Sequence, residues 1–248
     1  MRAIVIIPTY KGYNERENLA PLVAVVLKAD PALDILVLDD NSPDGTGALA
    51  DELARHSNRV RVFHRSGKAG LGAAYLAGFA YALDRDHACI LEMDADSSHD
   101  PADLPRLLAP MRAGGADLVL GSRWAPGGGT RGWPPLRRII SRGGSWYART
   151  ILGVPVRDLT GGFKCFHRRV LERLDLGAVQ TSGYGFQIEL TYRALQAGSR
   201  VLEVPIVFSE RRSGQSKMSG RIVAEALAMV WRLRLDRPAP RVAGEVAR

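Results

Sequence analysis

The sequence predicts an α/β fold with helices on both faces of a mostly parallel sheet. Over residues 1–122, short apolar runs of strand length alternate with segments of helical pattern. Continuous apolar runs are typical of strands buried on both faces, and each parallel crossover needs a long connection, usually a helix. The chain has 248 residues, of which 46% are hydrophobic, so it can bury one sizeable core. We expect one domain with a C-terminal extension.

The first half of the chain contains five predicted strands, at residues 3–8, 34–39, 60–63, 87–93 and 117–122. Helices are expected between them at about 14–29, 69–83 and 101–113. Asn14 and Glu17 match a capping box for the first helix, and Asp100 before Pro101 matches an N-cap for the third. The second strand ends in the turn residues DDNSPDGT.

The second half of the chain has a different pattern. Residues 125–135, APGGGTRGWPP, are rich in Gly and Pro and predict a mobile loop or lid. The elements expected after it are a basic helix at 136–152, the segment DLTGGFKCF at 158–166, a helix near 185–197, a strand at 200–208 and an apolar helix at 222–235. Residues 237–248 are predicted to be a disordered tail.

Charge is distributed unevenly along the chain. The net charge is +8, yet residues 1–120 carry 12 Lys and Arg against 17 Asp and Glu, a net charge of −5. Residues 121–174 carry 11 against 2, a net charge of +9. A basic block of this size is typical of a site for nucleic acid, an anionic membrane surface or a phosphorylated substrate, and a solvated basic face is the plainer interpretation.

Asp94 and Asp96 follow the fourth predicted strand, in the sequence ILEMDADSSHDP. Because Asp100 already caps the next helix, neither upstream carboxylate is needed for local structure. Carboxylates at i and i+2 on a strand point the same way, and the ends of parallel strands face the crevice where open α/β sheets bind ligands. Two close carboxylates repel each other unless a cation lies between them. We therefore predict a site for a divalent cation, Mg²⁺ or Mn²⁺, and a diphosphate.

Two other chemistries are compatible with parts of this pattern. SGKAGLG, at residues 66–72, follows a strand and opens a helix, but its glycines match neither G-x-G-x-x-G nor a P-loop. The segment therefore offers only a helix N-terminus beside Lys68. It is either a modest anion site or a loop that needs small residues for packing. An aspartyl phosphatase would also place carboxylates after a strand, but it needs them early in the chain.

Seven motifs occur in a recognisable order: PTY…NERENL (8–19), DDNSPDGT (39–46), GKAGLGAAY (67–75), MDADSSHDP (93–101), GSRW (121–124), WPPLRRIIS (133–141) and RRSGQSKM (211–218). With these motifs, residues 3–220 resemble the polyprenol-phosphate mannosyltransferases, also called dolichol-phosphate mannose synthases. The resemblance implies an inverting enzyme with the GT-A fold of glycosyltransferase family 2. It also implies transfer of mannose from GDP-mannose to a polyprenyl (dolichyl-type) monophosphate, with Mg²⁺ or Mn²⁺ on the diphosphate.

The resemblance, together with the loop at Lys68, assigns roles to individual residues. Those expected to bind the donor are Pro8, Tyr10, Glu15, Asp40, Lys68, Asp94, Ala95, Asp96, Arg211 and Lys217. The metal ligands implied are Asp94, Asp96 and Ser98, and the residues implied for the acceptor phosphate are Arg123, Arg137 and Ser141. The expected catalytic residues are Asp94, Asp96 and Arg123. Gln187 and Glu189 either shape the sugar pocket or form a helix-surface pair.

Two positions depart from the family pattern. Lys11, Gly12 and Tyr13 lengthen the donor loop between Tyr10 and Glu15. Ser98 stands where some relatives have a Gln that completes the metal shell, and a hydroxyl or water can take that place.

An acceptor phosphate has a second pKa of about 6 and is largely ionised at pH 7, so it needs positioning more than a general base.

We expect a cytoplasmic enzyme that is peripheral on the cytoplasmic face of the membrane. No apolar run reaches the roughly 20 residues of a membrane span, and the N-terminal run is too short for a signal peptide. Cys89 and Cys165 lie in apolar stretches and are predicted to be buried thiols. The helix at 136–152 carries Trp146 and Tyr147 among its arginines, which is typical of a helix on an anionic membrane surface. An integral membrane partner is a second expected means of recruitment.

The expected organisation is a GT-A catalytic domain at 1–220, an apolar helix at 221–236 and a tail at 237–248. The apolar helix either contacts a membrane or a partner, or belongs to the core. Two alternatives for function stay open: a related transferase that uses a UDP-sugar such as UDP-glucose, and a nucleic-acid-binding module. We expect no nucleic acid as a partner, because the basic block lacks aromatic residues interleaved along a sheet.

Overall fold

The computed structural model describes residues 1–9, 15–67, 69–179, 183–210 and 220–236. The strands in these ranges are β1 Ala3–Thr9, β2 Leu33–Asp39, β3 Val60–His64, β4 Cys89–Glu92, β5 Leu118–Ser122, β6 Gly129–Arg131, β7 Lys164–His167, β8 Val201–Pro205 and β9 Val207–Ser209. The α-helices are α1 Glu15–Ala29, α2 Thr46–His56, α3 Leu71–Leu83, α4 Leu104–Arg112, α5 Pro135–Leu152, α6 Arg168–Arg173, α7 Tyr184–Gln196 and α8 Gly220–Leu235. The predicted cap at Asn14 and the predicted tail at 237–248 lie outside the described residues.

A seven-stranded sheet in the order β3-β2-β1-β4-β7-β5-β8 forms the centre of the molecule. Parallel pairs join β1 with β2 and β4, β2 with β3, and β5 with β8. Only β7 runs against its neighbours, β4 and β5. β6 and β9 form a separate parallel pair. The predicted α/β fold with a mostly parallel sheet is confirmed.

The hydrophobic core has two layers, one on each face of the central sheet. Successive strand residues point to opposite faces, and β1 shows the division. Ile4 and Ile6 pack in one layer, with α3, α5, α7 and α8, whereas Val5 and Ile7 pack in the other, with α1 and α4. All four side chains are at most 1% exposed. Such complete burial of a strand on both faces is the reason for its continuous apolar sequence.

Four elements differ from the sequence prediction, and one of them, α6, is a helix that was not predicted. α2 follows the turn cluster after β2 and was not predicted. The predicted strand at 200–208 is two strands, β8 in the central sheet and β9 in the small sheet. β6 lies within residues 125–135, which were predicted to be a mobile loop or lid, and pairs with β9. That partner is distant in the chain, so local composition could not reveal the pairing.

α8 has one buried face and one exposed face. Val230 and Leu233 belong to the core, and the hydroxyl of Tyr147 in α5 donates to the carbonyl of Leu227 at 3.2 Å. Trp231 is 53% exposed. None of the described helices combines the length and apolarity that a membrane span requires. Elsewhere, Cys89 and Cys165 are buried free thiols, as predicted.

Candidate active site

The candidate site lies where the strand order of the central sheet reverses. β2 and β3 extend the sheet to one side of β1, and β4 returns to its other side. Ligands of open α/β sheets bind outside the carboxyl ends of the strands at such a point. Here β1 ends at Thr9, β2 ends at Asp39, and β4 ends two residues before Asp94. These strand ends bring the predicted donor and metal residues to one edge of the sheet.

Pro8, Glu15 and Asp40, which are predicted to bind the donor, lie at or next to the ends of β1 and β2. Pro8 is in β1, and Glu15 begins α1 and is partly buried. Asp40 is 4% exposed, and its main-chain N–H donates to the carbonyl of Thr9 at 3.0 Å. The Asp40 carboxylate forms an ion pair with Arg65 at 3.0 Å. The carboxylate is therefore held in a defined position at the base of the crevice.

Asp39 stabilises the turn after β2 and was not predicted to have this role. Its carboxylate accepts from the hydroxyl of Thr9 at 3.1 Å and from the main-chain N–H of Ser42 at 3.3 Å. A Cβ atom on Gly47 would lie 2.6 Å from the Asp39 carboxylate, so only glycine fits there. The adjacent acids of DDNSPDGT thus have different partners, which their sequence alone does not distinguish.

The loop after β4 folds back on itself around Asp94 and Asp96. The main-chain N–H of Asp94 donates to Nδ1 of His99 at 3.2 Å. Oδ1 of Asp96 accepts from the main-chain N–H of Ser98 at 3.0 Å and also from its hydroxyl. Ser97 takes a left-handed conformation, with φ of 60°, that allows the tight turn. These local bonds orient the Asp96 carboxylate and hold the main chain at Asp94. The expectation that neither carboxylate serves local structure is therefore wrong for Asp96.

Asp94 and Asp96 form a donor set that suits a hard divalent cation. Asp94 is partly exposed and Asp96 is 7% exposed. Among the residues that the structure describes, no cluster of three or more His, Cys, Asp or Glu side chains is placed to hold a metal. Two carboxylates supplemented by substrate phosphate oxygens are typical of Mg²⁺ sites, and Mn²⁺ prefers the same oxygen ligands. Ser98 is 1% exposed, and its role as a metal ligand stays a prediction.

Buried polar groups lie beneath this loop. Burial raises the pKa of Tyr75 well above its ordinary value, and the charges of Asp94 and Glu92 add to the effect, so its hydroxyl stays protonated. Burial also raises the pKa of Glu92 to about 7, with Lys164 opposing the shift. Lys164 lies opposite Glu92 in the β4–β7 register, and its Nζ donates to the carbonyl of Gln187 at 2.6 Å. Glu92 and Lys164 are each a single charged residue inside an apolar strand, a signal that is visible in the sequence.

Gln187 and Glu189 of α7 are both buried, at 3% and 2% exposed. The alternative that they form a helix-surface pair is therefore wrong. Glu189 accepts two hydrogen bonds from Arg193, at 2.8 and 2.6 Å. The Gln187 side-chain amide has no hydrogen-bond partner among the described residues and lies close to Gly162. A role of Gln187 in the sugar pocket stays a prediction.

Arg123, predicted to bind the acceptor phosphate, directly follows β5 and is 6% exposed. Its Nε and Nη2 each donate to the Asp158 carboxylate at 2.7 Å, and its main-chain N–H donates at 2.9 Å. Burial by itself would raise the pKa of Asp158, but the charge and hydrogen bonds of Arg123 hold it below the ordinary value. Asp158 is one of the two acids among residues 121–174, but its pairing with Arg123 is visible only in the fold.

Arg137 and Ser141 lie one turn apart near the start of α5, and both are partly buried. The Arg137 Nη1 lies 3.2 Å from the carboxylate of Glu210. Its Cζ lies 4.0 Å from the centroid of the Trp133 ring, over which Arg123 also lies, at 5.5 Å. The structure therefore brings the two predicted acceptor arginines to one indole ring.

Aromatic contacts connect the loop of Asp94 to these arginines. His99 meets Phe208 edge to face, with centroids 5.2 Å apart, and Phe208 meets Trp133 in the same way at 5.4 Å. The main-chain N–H of Ser209 donates to the carbonyl of Ser98 at 3.1 Å. Contiguous contacts thus connect the loop of Asp94 to Trp133, the ring over which both arginines lie.

The remaining predicted site residues are Ala95 and four donor-binding candidates. Ala95, between the two carboxylates, is 4% exposed and packs in the core layer of Val5. The remaining donor-binding candidates lie outside the described residues: Tyr10, Lys68, Arg211 and Lys217.

The sequence profile of Glycosyl transferase family 2 matches residues 4–175, more than half of the chain. The chain belongs to glycosyl transferase family 2. This membership confirms the enzyme class predicted from the motifs.

Two curated relatives are similar to this glycosyltransferase over nearly its whole length. One is the polyprenol monophosphomannose synthase of Mycolicibacterium smegmatis, which is 54% identical over 241 residues, or 95% of this chain and 89% of the relative. The other is the undecaprenyl-phosphate mannosyltransferase of Micrococcus luteus, which is 48% identical over 232 residues, or 94% and 93% of the two chains. These relatives confirm the resemblance found in the sequence motifs.

A solved structure of similar fold is glucosyl-3-phosphoglycerate synthase of Mycobacterium tuberculosis, in complex with Mn²⁺, UDP-glucose and phosphoglyceric acid. The match covers 96% of this glycosyltransferase and 80% of that chain, with a TM-score of 0.66 and 19% sequence identity. The predicted GT-A type fold is confirmed.

Proposed function

We propose that this glycosyltransferase transfers mannose from GDP-mannose to a polyprenyl monophosphate and releases GDP. The observation that carries the proposal is the pair of relatives, 54% and 48% identical, both named for mannose or phosphomannose and a polyprenyl acceptor. The site agrees with that chemistry. It combines two carboxylates suited to a cation and a diphosphate with two arginines suited to a phosphate.

The donor half of the proposed site is built around Asp94 and Asp96. A Mg²⁺ or Mn²⁺ ion held by these carboxylates would neutralise the charge that develops on the departing diphosphate. Ser98 fixes the orientation of the Asp96 carboxylate, and His99 fixes the main chain at Asp94. Pro8 and Asp40, at the neighbouring strand ends, would position the nucleoside.

The acceptor half of the proposed site uses Arg123 and Arg137. An oxygen of the polyprenyl phosphate attacks the anomeric carbon of mannose on the side opposite the diphosphate. A carbon–oxygen bond to the lipid phosphate forms, and the bond to GDP breaks with inversion. Because the acceptor phosphate has a second pKa of about 6, it is already ionised at neutral pH and needs no general base. The arginines therefore act by orienting the phosphate and neutralising its charge.

The test is a donor panel. The protein is incubated with geranyl phosphate, Mn²⁺ and one of GDP-mannose, UDP-glucose or GDP-glucose, and the lipid product is identified by mass spectrometry. We expect a hexosyl phosphate product with GDP-mannose and little with the other two. Product formed only with UDP-glucose would show that the donor is a UDP-sugar and not GDP-mannose. No lipid product with any donor would refute the proposed reaction.

We also propose that the enzyme binds peripherally to anionic lipid on the cytoplasmic face of the membrane. α5 exposes an apolar stripe with Leu136 at 68%, Ile139 at 69% and Trp146 at 65% exposed. Arg138 and Arg142 are exposed on the same helix. A helix of this kind lies in the headgroup layer, where each nearby arginine contributes about 1 kcal/mol of attraction to anionic lipid.

α8 extends this surface beside α5. Trp231 is 53% and Leu235 is 77% exposed, whereas the opposite face of α8 is in the core. The apolar helix predicted at 221–236 can therefore pack against the core with one face and contact a membrane with the other. The two alternatives predicted for it are compatible.

Sedimentation with phosphatidylglycerol liposomes at low and high salt tests this surface. Wild type should sediment at low salt and be released at high salt, since salt screens the attraction. The Arg138→Glu, Arg142→Glu double variant should stay in the supernatant, whereas a control double variant, Arg55→Glu with Arg61→Glu, should behave as wild type. If wild type stays in the supernatant at both salts, an integral membrane partner must recruit the enzyme instead.

A further inference from the structure

Trp133 contacts both arginines that are predicted to bind the acceptor phosphate. Cζ of Arg137 lies over its ring at 4.0 Å, and Cζ of Arg123 lies over it at 5.5 Å. Trp133 is only 9% exposed, so these contacts are largely shielded from water. A guanidinium over an indole face is attracted by the ring quadrupole, and the attraction increases when water is excluded.

Each of the two arginines also has an acidic partner that is distant in the chain. Arg123 is paired with Asp158 and Arg137 with Glu210. The carboxylates hold each guanidinium individually, but neither carboxylate is common to both. Arg123 also lies over the rings of Trp124 and Phe208, at 5.7 and 5.6 Å, whereas Trp133 is a ring that both guanidinium groups contact.

The position of Trp133 is itself well determined. Phe208 packs edge to face against its ring at 5.4 Å, and residue 135 begins α5 two positions later. The ring is therefore held between the small β6–β9 sheet, which contains Phe208, and the first turn of α5, which contains Arg137. A rigid ring in this place fixes how far apart two long, flexible side chains can lie.

We propose that Trp133 is a positioning residue of the acceptor site, whose ring holds the guanidinium groups of Arg123 and Arg137 at the spacing that one phosphate monoester requires. Two cations that converge on one anion repel each other before the anion arrives. The indole reduces this cost because it attracts both. Trp133 thereby prepares the site for the phosphate without being required for the donor. This inference rests on the proposed function, since it takes the acceptor to be a phosphate monoester.

The test compares Trp133→Leu, which removes the aromatic ring, with Trp133→Phe, which keeps an aromatic face. Michaelis constants are measured separately for geranyl phosphate and for GDP-mannose. Trp133→Leu should raise the constant for geranyl phosphate by roughly tenfold to a hundredfold, as expected from loss of two shielded cation–π contacts, and leave that for GDP-mannose within about twofold. Trp133→Phe should recover most of the loss.

A matched control removes a ring that carries a guanidinium outside the site. Arg85 lies over Tyr81 at 3.5 Å, near the end of α3. Tyr81→Leu should leave both Michaelis constants unchanged. Thermal unfolding of every variant separates loss of folded protein from loss of affinity.

Three results would overturn the inference while leaving the proposed function intact. They are an unchanged geranyl phosphate constant in Trp133→Leu, an equal rise in both constants, and a Trp133→Phe variant as impaired as Trp133→Leu. Failure of wild type to form any lipid product would instead count against the proposed function.

Discussion

The donor and acceptor halves of the site are held in place by different kinds of contact. In the loop predicted to hold the metal, Oδ1 of Asp96 accepts from Ser98, two residues away, and the main-chain N–H of Asp94 donates to His99, five residues away. Arg123 is held by Asp158, 35 residues away, and Arg137 pairs with Glu210, 73 residues away. The loop of Asp94 and Asp96 is therefore held by local bonds, whereas the two arginines are held by tertiary ion pairs.

This difference follows from the side chains involved. An aspartate is short, so the backbone of its loop determines where its oxygens lie. An arginine is long and loses considerable rotamer entropy when fixed, so it needs partners around its guanidinium group. The Asp96 carboxylate should therefore respond mainly to changes inside its own loop, whereas the two arginines should respond to residues far from them in sequence.

The largest effect on ligand binding is expected for Asp94→Asn or Asp96→Asn. Each removes a charge that the cation needs, so metal-dependent binding of GDP-mannose should be abolished while the fold is kept. In wild type, ligand at 100 times its dissociation constant stabilises the fold by about 2.7 kcal/mol. Thermal shift with Mn²⁺ and GDP-mannose should show this stabilisation in wild type and lose it in both variants.

The control for that experiment is Asp100→Asn in the same loop. The Asp100 side chain accepts a hydrogen bond from the main-chain N–H of Ala102 and caps the following helix. The amide oxygen of Asn can accept the same bond, so this variant should keep most of its stability and also its ligand-induced shift. If the Asp94 and Asp96 variants keep the full ligand-induced thermal shift, neither residue holds the metal.

The second effect concerns stability and is expected at Asp158. Asp158→Asn would leave the buried guanidinium of Arg123 without a charged partner, which costs about 3–5 kcal/mol in comparable cases. Because the pKa of Asp158 is lowered in the folded state, the pair stabilises the fold above the unfolded pKa and loses this effect as the pH falls. Urea unfolding at pH 7 and pH 3 should show a large difference between wild type and Asp158→Asn at pH 7 and a smaller one at pH 3.

Glu172→Gln provides the comparison for Asp158. Glu172 pairs with Arg168, but it is 47% exposed, so the loss should stay below about 1 kcal/mol. Equal destabilisation of the two variants would show that burial of the Arg123 pair has no special energetic role.

The smallest effect is expected at the start of α5. Arg137→Ala and Ser141→Ala should each weaken binding of the acceptor by about 1.5–3 kcal/mol, the range for a lost charge-assisted contact, and spare the donor. Michaelis constants for geranyl phosphate and GDP-mannose measure the two separately, with Arg149→Ala on the same helix as the control. A raised constant for GDP-mannose alone would reverse the assignment of the two halves.

The sequence by itself determined the α/β architecture, the placement of Asp94 and Asp96 after a central strand, and the family. These features depend on patterns within a few residues. A buried parallel strand needs a continuous apolar run, and a loop motif keeps its own spacing. Residues predicted for the donor and metal therefore lie at one edge of the sheet wherever the structure describes them.

Only the tertiary structure decided how the acceptor half is assembled. The pairing of β6 with β9 places Phe208 against Trp133, the ring over which Arg137 lies. The pairing of Arg123 with Asp158 likewise joins residues 35 positions apart. Such contacts depend on which strands and helices become neighbours when the chain folds. Side chains that are distant in sequence have no fixed spacing that a local pattern could reveal.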